Sequence, residues 1–196
     1  MRSAFIVCAA VVIASLTGCG GTGALSMQSA VGPPIVLAGS FNKVIYGYTD
    51  ANQLDVIMLE GPEDKPTQAV HIAMSWAPRA GRTPIDEFAT NATVRYMIFT
   101  GEAAGVYSGA GFLFTSDYPG EENFKADLRN TALRLFDRTE NFHDRLGLAK
   151  VTGGFVAKLD DIATQQSLVR VQKYLREQLG YPAFVKAYGE SGIAAK

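Results

Sequence analysis

Apolar and polar residues alternate with a period of two through the first part of the chain, as in β-strands with one buried face. The alternation runs through residues 40–48, 53–60 and 67–76, and it returns in 93–100 and 106–114. Short polar or glycine-containing segments separate neighbouring stretches, and such segments are typical of hairpin turns. The pattern therefore predicts an antiparallel sheet that occupies most of the chain between residues 35 and 114.

After residue 120 the apolar spacing lengthens to that of an amphipathic helix. The stripe on this predicted helix consists of Phe124, Leu128, Thr131, Ala132 and Leu135. We also expect a short helical stretch over 139–146 and a strand over 150–159, in which two consecutive glycines make an interruption. The first of these helices would cover one face of the preceding sheet.

The last predicted helix has clear start and stop signals. Asp160 or Asp161 can act as its N-cap, and Gly180 followed by Pro182 ends it. Strands first and helices afterwards is the order found in α+β domains. We therefore predict an α+β fold, in which an antiparallel sheet of five or six strands is packed by two main C-terminal helices.

The first nineteen residues have the pattern of an export signal. Arg2 precedes an uncharged, mostly apolar run over 4–16, and these 13 residues are fewer than the roughly 20 that a membrane-crossing helix needs. The run fits the hydrophobic region of a signal peptide. The segment Leu16-Thr17-Gly18-Cys19 that follows resembles the lipobox of bacterial lipoprotein precursors.

This resemblance implies a lipid-anchored protein of the bacterial cell envelope. Cys19 would receive a diacylglyceryl group, the chain would be cut after Gly18, and the new amino terminus would be acylated with a fatty acid such as palmitate. Two or more acyl chains anchor a protein stably, whereas one does not. Because Gly20 is not aspartate, the family pattern favours the outer membrane, facing the periplasm, in a Gram-negative host.

The same reading divides the chain into four segments. Residues 1–18 are predicted to be the lipoprotein signal peptide, and 19–34 a lipidated flexible tether, because this stretch is uncharged and rich in glycine, serine, alanine and proline. Residues 35–182 are predicted to form the single α+β domain, and 183–196 a loose tail.

Composition excludes several classes of protein. The chain has 18 basic and 19 acidic residues and a formal net charge of −1, which argues against a nucleic-acid partner. Its two cysteines are Cys8, which would leave with the signal peptide, and Cys19, so the mature domain has neither a disulfide nor a cysteine metal site. We find no motif for a cofactor or a metal.

The candidate chemistry for catalysis rests on two histidines. His71 lies in the middle of a predicted strand, and His143 stands between Glu140 and Asp144. Adjacent helical side chains diverge, so His143 and Asp144 are not expected to converge on one ion. Neither Ser75 nor any other serine stands in a nucleophile elbow.

The aromatic residues of the sheet offer a different hypothesis. Most are expected to pack in the core, but Trp76 is followed by a proline- and glycine-containing loop with Arg79 and Arg82, and this group could bind a partner. We therefore predict a binding or assembly module for an envelope protein. Two alternatives stay open: a hydrolase-like enzyme that uses His143 or His71, and a carrier of an apolar ligand with a closed cavity between sheet and helices.

Overall fold

The computed structural model describes residues 21–49, 53–74 and 90–183, which form a closed barrel of eight antiparallel strands and one helix. The strands are β1 (Gly21–Ser29), β2 (Val36–Tyr48), β3 (Leu54–Glu60), β4 (Gln68–Met74), β5 (Ala92–Thr100), β6 (Ala103–Thr115), β7 (Asn123–Arg138) and β8 (Ala149–Leu159). Helix α1 (Asp161–Leu179) follows β8 directly.

Each strand pairs with the next one in the chain, and β8 pairs with β1 to close the barrel. A second, parallel contact joins β2 to β8 through the pairs Ile45–Lys158 and Tyr46–Leu159. This contact lies just beyond Gly21, the first residue of β1. β1 is therefore a strand wedged between β2 and β8, which meet each other where β1 begins.

The main core fills the interior of the barrel. Strand residues of alternate position point inward, so that aromatic, methionine and aliphatic side chains from all eight strands meet there. The largest buried side chains in this interior include Tyr46, Tyr96, Tyr107, Phe41 and Phe124.

A second apolar cluster lies on the outside of the barrel, under α1. Val171 and Leu175 of the helix pack against outward-facing residues that include Ile57, Leu59 and Val106. Strand β3 is consequently buried on both faces. The helix is closed as its sequence predicts, because the Asp160 side chain accepts a hydrogen bond from a first-turn backbone N–H and Gly180 ends the helix in the left-handed conformation.

The predicted α+β class is wrong. The expected sheet of five or six strands is a barrel of eight, and the first of the two predicted C-terminal helices is strand β7. A register shift between Leu128 and Thr131 explains the helical spacing. The extra residue of this bulge moves the inward side chains from even to odd positions, so that Phe124, Leu128, Thr131 and Leu135 are spaced as on a helix.

Two further expectations require correction. Gly21–Ser29, which lies inside the predicted flexible tether, forms β1, because its small residues fit between two close neighbouring strands. Residues 139–146, predicted as a short helical stretch, form an irregular β7–β8 loop in which one turn is closed by a hydrogen bond from Phe142 N–H to Thr139 O.

Other predictions are confirmed. The two hairpins expected around residues 49–52 and 101–105 are the β2–β3 and β5–β6 pairs. In β4, Val70, Ile72 and Met74 face the interior while His71 faces outward. Glycine is required at position 111 of β6, because a Cβ there would lie 1.9 Å from the Thr131 hydroxyl of β7.

Candidate functional site

A shallow groove of about 520 Å³ lies on the outer surface of the barrel across β7, β8, β1 and β2. Small residues form its floor, namely Gly23, Ala24 and Gly154, and Lys125 and Asp127 of β7 stand at its side. The remaining lining residues are Thr22, Ser40, Phe41, Asn42, Phe155 and Val156. This volume lies within the range of about 300–1,000 Å³ that is usual for small-molecule sites.

The strand register explains why the wall is concave here. Ala24 pairs with Ser40 on one side and with Gly154 on the other, and Gly154 pairs with Asp127. One row across four strands therefore has small side chains at its centre. A Cβ on Gly154 would lie 2.6 Å from Asp127 Oδ1, so a side chain at this position would displace the carboxylate that borders the groove.

The outer face around the groove carries more positive than negative charge. Lys125 of β7 and Lys150 and Lys158 of β8 point outward, and among the described residues none of the three is in ion-pair contact with a carboxylate. Acids lie on this face too: Asp127 Oδ2 lies 3.7 Å from Arg129 Nη2 in a half-exposed pair, and Asp117 Oδ2 accepts a hydrogen bond of 2.9 Å from Lys125 N. The surface around the groove therefore offers both positive and negative groups to a ligand.

A second polar cluster lies on the outward face of β3 and β4, where Asp55 is only 1% exposed. His71 Nε2 lies 2.7 Å from Asp55 Oδ1. Gln53 Nε2 donates to Asp55 Oδ2 at 3.1 Å, and the Thr49 hydroxyl donates to the same oxygen. The cluster thus links the β2–β3 turn, through Thr49 and Gln53, to His71 of β4.

The electrostatics of this cluster favour the ionised carboxyl. Burial alone would raise the pKa of Asp55, but the three hydrogen bonds and the charge of His71 together lower its pKa below the ordinary value. In the described part of the chain, the hydroxyl that reaches this pair is that of Thr49, and it donates to Asp55, not to His71. The arrangement is that of a stabilising hydrogen-bond network and not that of a nucleophile activated by its base.

The second histidine lies elsewhere. His143 is exposed in the β7–β8 loop, and its neighbour Asp144 is engaged by the fold. Asp144 Oδ1 accepts from the Tyr107 hydroxyl at 2.6 Å and from the N–H groups of Leu146 and Gly147. Burial would raise the pKa of Asp144, but these hydrogen bonds lower it. Over residues 21–49, 53–74 and 90–183, no cluster of three or more histidine, cysteine or acidic side chains could hold a metal ion.

The remaining site residues predicted from the sequence fall in other places. Cys19, Trp76, Arg79 and Arg82 lie outside the described residues. Most of the other sheet aromatics are buried, whereas Phe114 is 40% exposed. Neither histidine lines the groove.

One end of the barrel exposes a group of apolar side chains, which we call the apolar tip. It consists of Val31, Ile35 and Val36 around the β1–β2 loop and Leu148 before β8. The two loops are joined by a hydrogen bond of 2.7 Å from Ala30 N to Leu148 O. The tip lies at the end of β1 that is farther from Gly21.

Sequence reasoning missed the groove and found only part of the Asp55 cluster. Lys125 and Asp127 fell on a predicted helix, and Thr22 and Ala24 fell in the predicted tether, so nothing in the pattern placed them together. Asp55 was within reach of a sequence argument. The β3–β4 hairpin and its alternation place it on the same outward face as the candidate histidine.

Fold and site together define a class: a closed, eight-stranded antiparallel barrel with one helix on its outer surface and a ligand-sized groove that the helix does not line. No protein-family model, curated protein or solved structure matches the chain. As far as the chain is described, no helix has both the length and the apolar character required to cross a membrane.

Proposed function

We propose that this protein is a lipid-anchored lipoprotein of the bacterial envelope, and that its barrel is a binding module with the groove over β1 as its binding site. The groove is the observation that carries the proposal. Its floor of small residues offers an apolar surface, and Lys125 and Asp127 beside it offer one positive and one negative group. Such a combination suits an amphiphilic ligand. The lipobox ending at Cys19 supports the location.

The packing of the interior favours an outer site over a ligand carried inside the barrel. Eight-stranded barrels either fill their interior with side chains or hold one small ligand there. Here Tyr46, Tyr96 and Tyr107 are each at most 1% exposed. The ring centroids of Tyr46 and Phe124 lie 5.1 Å apart, within the range of aromatic packing contacts. The carrier hypothesis has correspondingly less support.

The anchor is tested by replacing its attachment point. Cys19→Ala should abolish acyl labelling and membrane retention in the native host and leave the circular dichroism spectrum of the barrel unchanged. A native protein whose Cys19 carries a free thiol by mass spectrometry would contradict the lipoprotein proposal.

The groove is tested by photo-crosslinking in living cells. A photoreactive amino acid is placed at Thr22 in the groove, at Val36 on the apolar tip, or at Gln172 on the exposed side of α1. An adduct is expected at Thr22 and not at Gln172. An adduct at Val36 alone would move the binding surface to the apolar tip, and equal adducts at all three positions would contradict a defined site.

A hydrolase-like enzyme is the second candidate, and the contact of 2.7 Å between His71 and Asp55 is the observation that favours it. It predicts turnover of chromogenic esters that His71→Gln abolishes without unfolding the barrel. The binding-module proposal predicts that the wild-type protein shows no such turnover.

A further inference from the structure

The polar side chains that line the groove are not used by the fold. Within the described part of the chain, five of them keep at least one polar atom without a hydrogen-bond partner, namely Thr22, Ser40, Asn42, Lys125 and Asp127. By contrast, the carboxylate of the β3–β4 cluster and that of the β7–β8 loop each accept three hydrogen bonds from the fold. The groove therefore gathers donors and acceptors that are available to a ligand.

The carboxylate of Asp127 is held over the floor of the groove. Its Oδ2 lies 3.7 Å from Arg129 Nη2, and Arg129 Cζ in turn lies 4.5 Å from the ring centroid of Phe114. Its Oδ1 would lie 2.6 Å from a Cβ on Gly154, so this oxygen stands above the glycine. An acceptor that is oriented before the ligand arrives costs less to bring into a complex.

The hydrogen-bonding groups stand on opposite sides of a flat floor. Asp127, Gly154, Ala24 and Ser40 form one row over four adjacent strands. Three strand spacings make this row about 14 Å long. Between the carboxylate and the serine hydroxyl, the single side chain in the row is the methyl group of Ala24. A ligand that contacts both sides is therefore elongated and lies flat against the wall.

The charges beside the groove balance, although the wider face has further lysines that do not line it. Lys125 and Arg129 are the basic residues on the β7 side. The acids there are Asp127 and Asp117, and Asp117 Oδ2 accepts a hydrogen bond of 2.9 Å from Lys125 N. Two positive and two negative groups give no net attraction for an anion or a cation. An uncharged ligand fits this arrangement best.

The groove also lacks the features that favour a protein or an acyl chain. Protein interfaces depend on buried aromatic and other large anchors, and the aromatic residues of the lining, Phe41 and Phe155, are only 2% and 4% exposed. An acyl chain would need an enclosed apolar cavity, whereas this groove is shallow and lined by hydroxyl, amide and charged groups. These properties indicate a flat, uncharged ligand with many hydroxyl groups.

We propose that the groove over β1 binds a short, uncharged oligosaccharide. A sugar ring has C–H groups on its faces and hydroxyl groups at its edge. One face can lie on Gly154 and Ala24 while a hydroxyl donates to Asp127 Oδ1 and others accept from Lys125 and Asn42. Hydrogen bonds to charged groups are the stronger ones, so Asp127 and Lys125 contribute most. This inference rests on the proposed binding function and names the ligand class of its groove.

The test uses the lipidated protein, purified from its host in a detergent without a sugar headgroup. Isothermal titration calorimetry measures its affinity for four uncharged tetrasaccharides, made of glucose, N-acetylglucosamine, mannose or galactose. Tetragalacturonate and the tetramer of glucosamine serve as anionic and cationic probes. The variants are Gly154→Ala, whose methyl group displaces the carboxylate, and Asp127→Ala. The matched control is Thr152→Ala, on the same strand as Gly154 but outside the groove lining.

At least one uncharged tetrasaccharide should bind, and more tightly than either charged probe. Gly154→Ala and Asp127→Ala should each weaken its binding about tenfold or more, with melting curves close to that of the wild type. Thr152→Ala should bind like the wild type. Preference for a charged probe, or wild-type affinity in both groove variants, would overturn the proposal. If no sugar binds but Thr22 still gives a specific crosslink in cells, the sugar class alone is wrong; if neither occurs, the groove is not the binding site.

Discussion

Replacing Asp55 by asparagine tests whether the buried cluster on β3 stabilises the barrel. In the folded protein the carboxylate accepts hydrogen bonds from His71, Gln53 and Thr49. Asparagine has almost the same shape, but it offers one carbonyl oxygen and an amide group that is itself a donor. At least one of the three donors would therefore face another donor.

The size of the effect follows from the burial of the pair. A hydrogen bond to a charged group contributes about 1.5–3 kcal/mol, and a buried donor without an acceptor costs about 1–3 kcal/mol. Solvent screening is weak, because the side chains of Asp55 and His71 are 1% and 12% exposed. We expect Asp55→Asn to lower the free energy of unfolding by about 2–4 kcal/mol. For a domain of this size the melting temperature should fall by roughly 4–16 °C.

The stability difference between wild type and Asp55→Asn should also depend on pH. The pKa of Asp55 is lower in the folded protein than in the unfolded chain, so its contribution is present above the unfolded pKa of about 3.9 and is lost as the pH falls through the folded pKa. Urea unfolding followed by circular dichroism should show the largest difference between wild type and variant at neutral pH, and a smaller one below about pH 4.

A matched control is Asp127→Asn, whose carboxylate is 43% exposed. We expect it to change the unfolding free energy by less than about 1 kcal/mol. The reasoning is refuted if Asp55→Asn unfolds within about 0.5 kcal/mol of the wild type at neutral pH, or if the difference between the two proteins grows in acid.

Three further substitutions test the packing. Gly153 has φ +145°, and a Cβ there would lie 2.2 Å from a β1 carbonyl oxygen, so Gly153→Ala should lower the free energy of unfolding by about 3 kcal/mol or more in a thermal melt. The control is Gly32→Ala, in open space at φ +83°, which should cost about 1 kcal/mol. Equal costs for the two variants would contradict the clash at Gly153. Leu175→Ala should lower the free energy of unfolding in urea by about 2–5 kcal/mol. Val169 is 64% exposed, so Val169→Ala should change this free energy by less than about 0.5 kcal/mol. A Leu175→Ala variant as stable as the wild type would mean that α1 does not stabilise the barrel. Tyr96→Phe removes a hydroxyl that donates to a buried glutamine, so it should lower the free energy of unfolding by about 1–3 kcal/mol, measured by urea unfolding. An unchanged midpoint would show that this hydrogen bond makes no net contribution to stability.

The sequence predicted elements well where the signals are local and poorly where they depend on a partner strand. The caps of α1, Asp160 and Gly180, act on their own helix and could be found by inspection. The bulge in β7 is defined by its pairing with β8, because Thr131 of β7, and not residue 129 or 130, stands opposite Val151 of β8. Without knowledge of β8, the spacing from Phe124 to Leu135 is indistinguishable from a helical stripe.

Strand β1 was missed for a related reason. Its inward positions include Gly21 and Gly23, where neighbouring strands leave no room for side chains, so the apolar alternation is reduced to Leu25 and Met27. A segment rich in glycine, alanine and serine has the composition of a linker. The close packing that requires these small residues exists only in the closed barrel, and composition cannot show it.

The corrected position of β1 changes what a lipid on Cys19 would do. A flexible tether over residues 20–34 would let the domain stand about 20 Å from the membrane, and the groove would be accessible to a soluble partner. With β1 beginning at Gly21, that end of the strand would lie within about 7 Å of the attachment point, and Thr22 at the start of the groove would lie close to the bilayer. A protein partner would then find the apolar tip more accessible. Crosslinking at Thr22 should therefore give mainly lipid adducts, and any protein adduct should come from Val36.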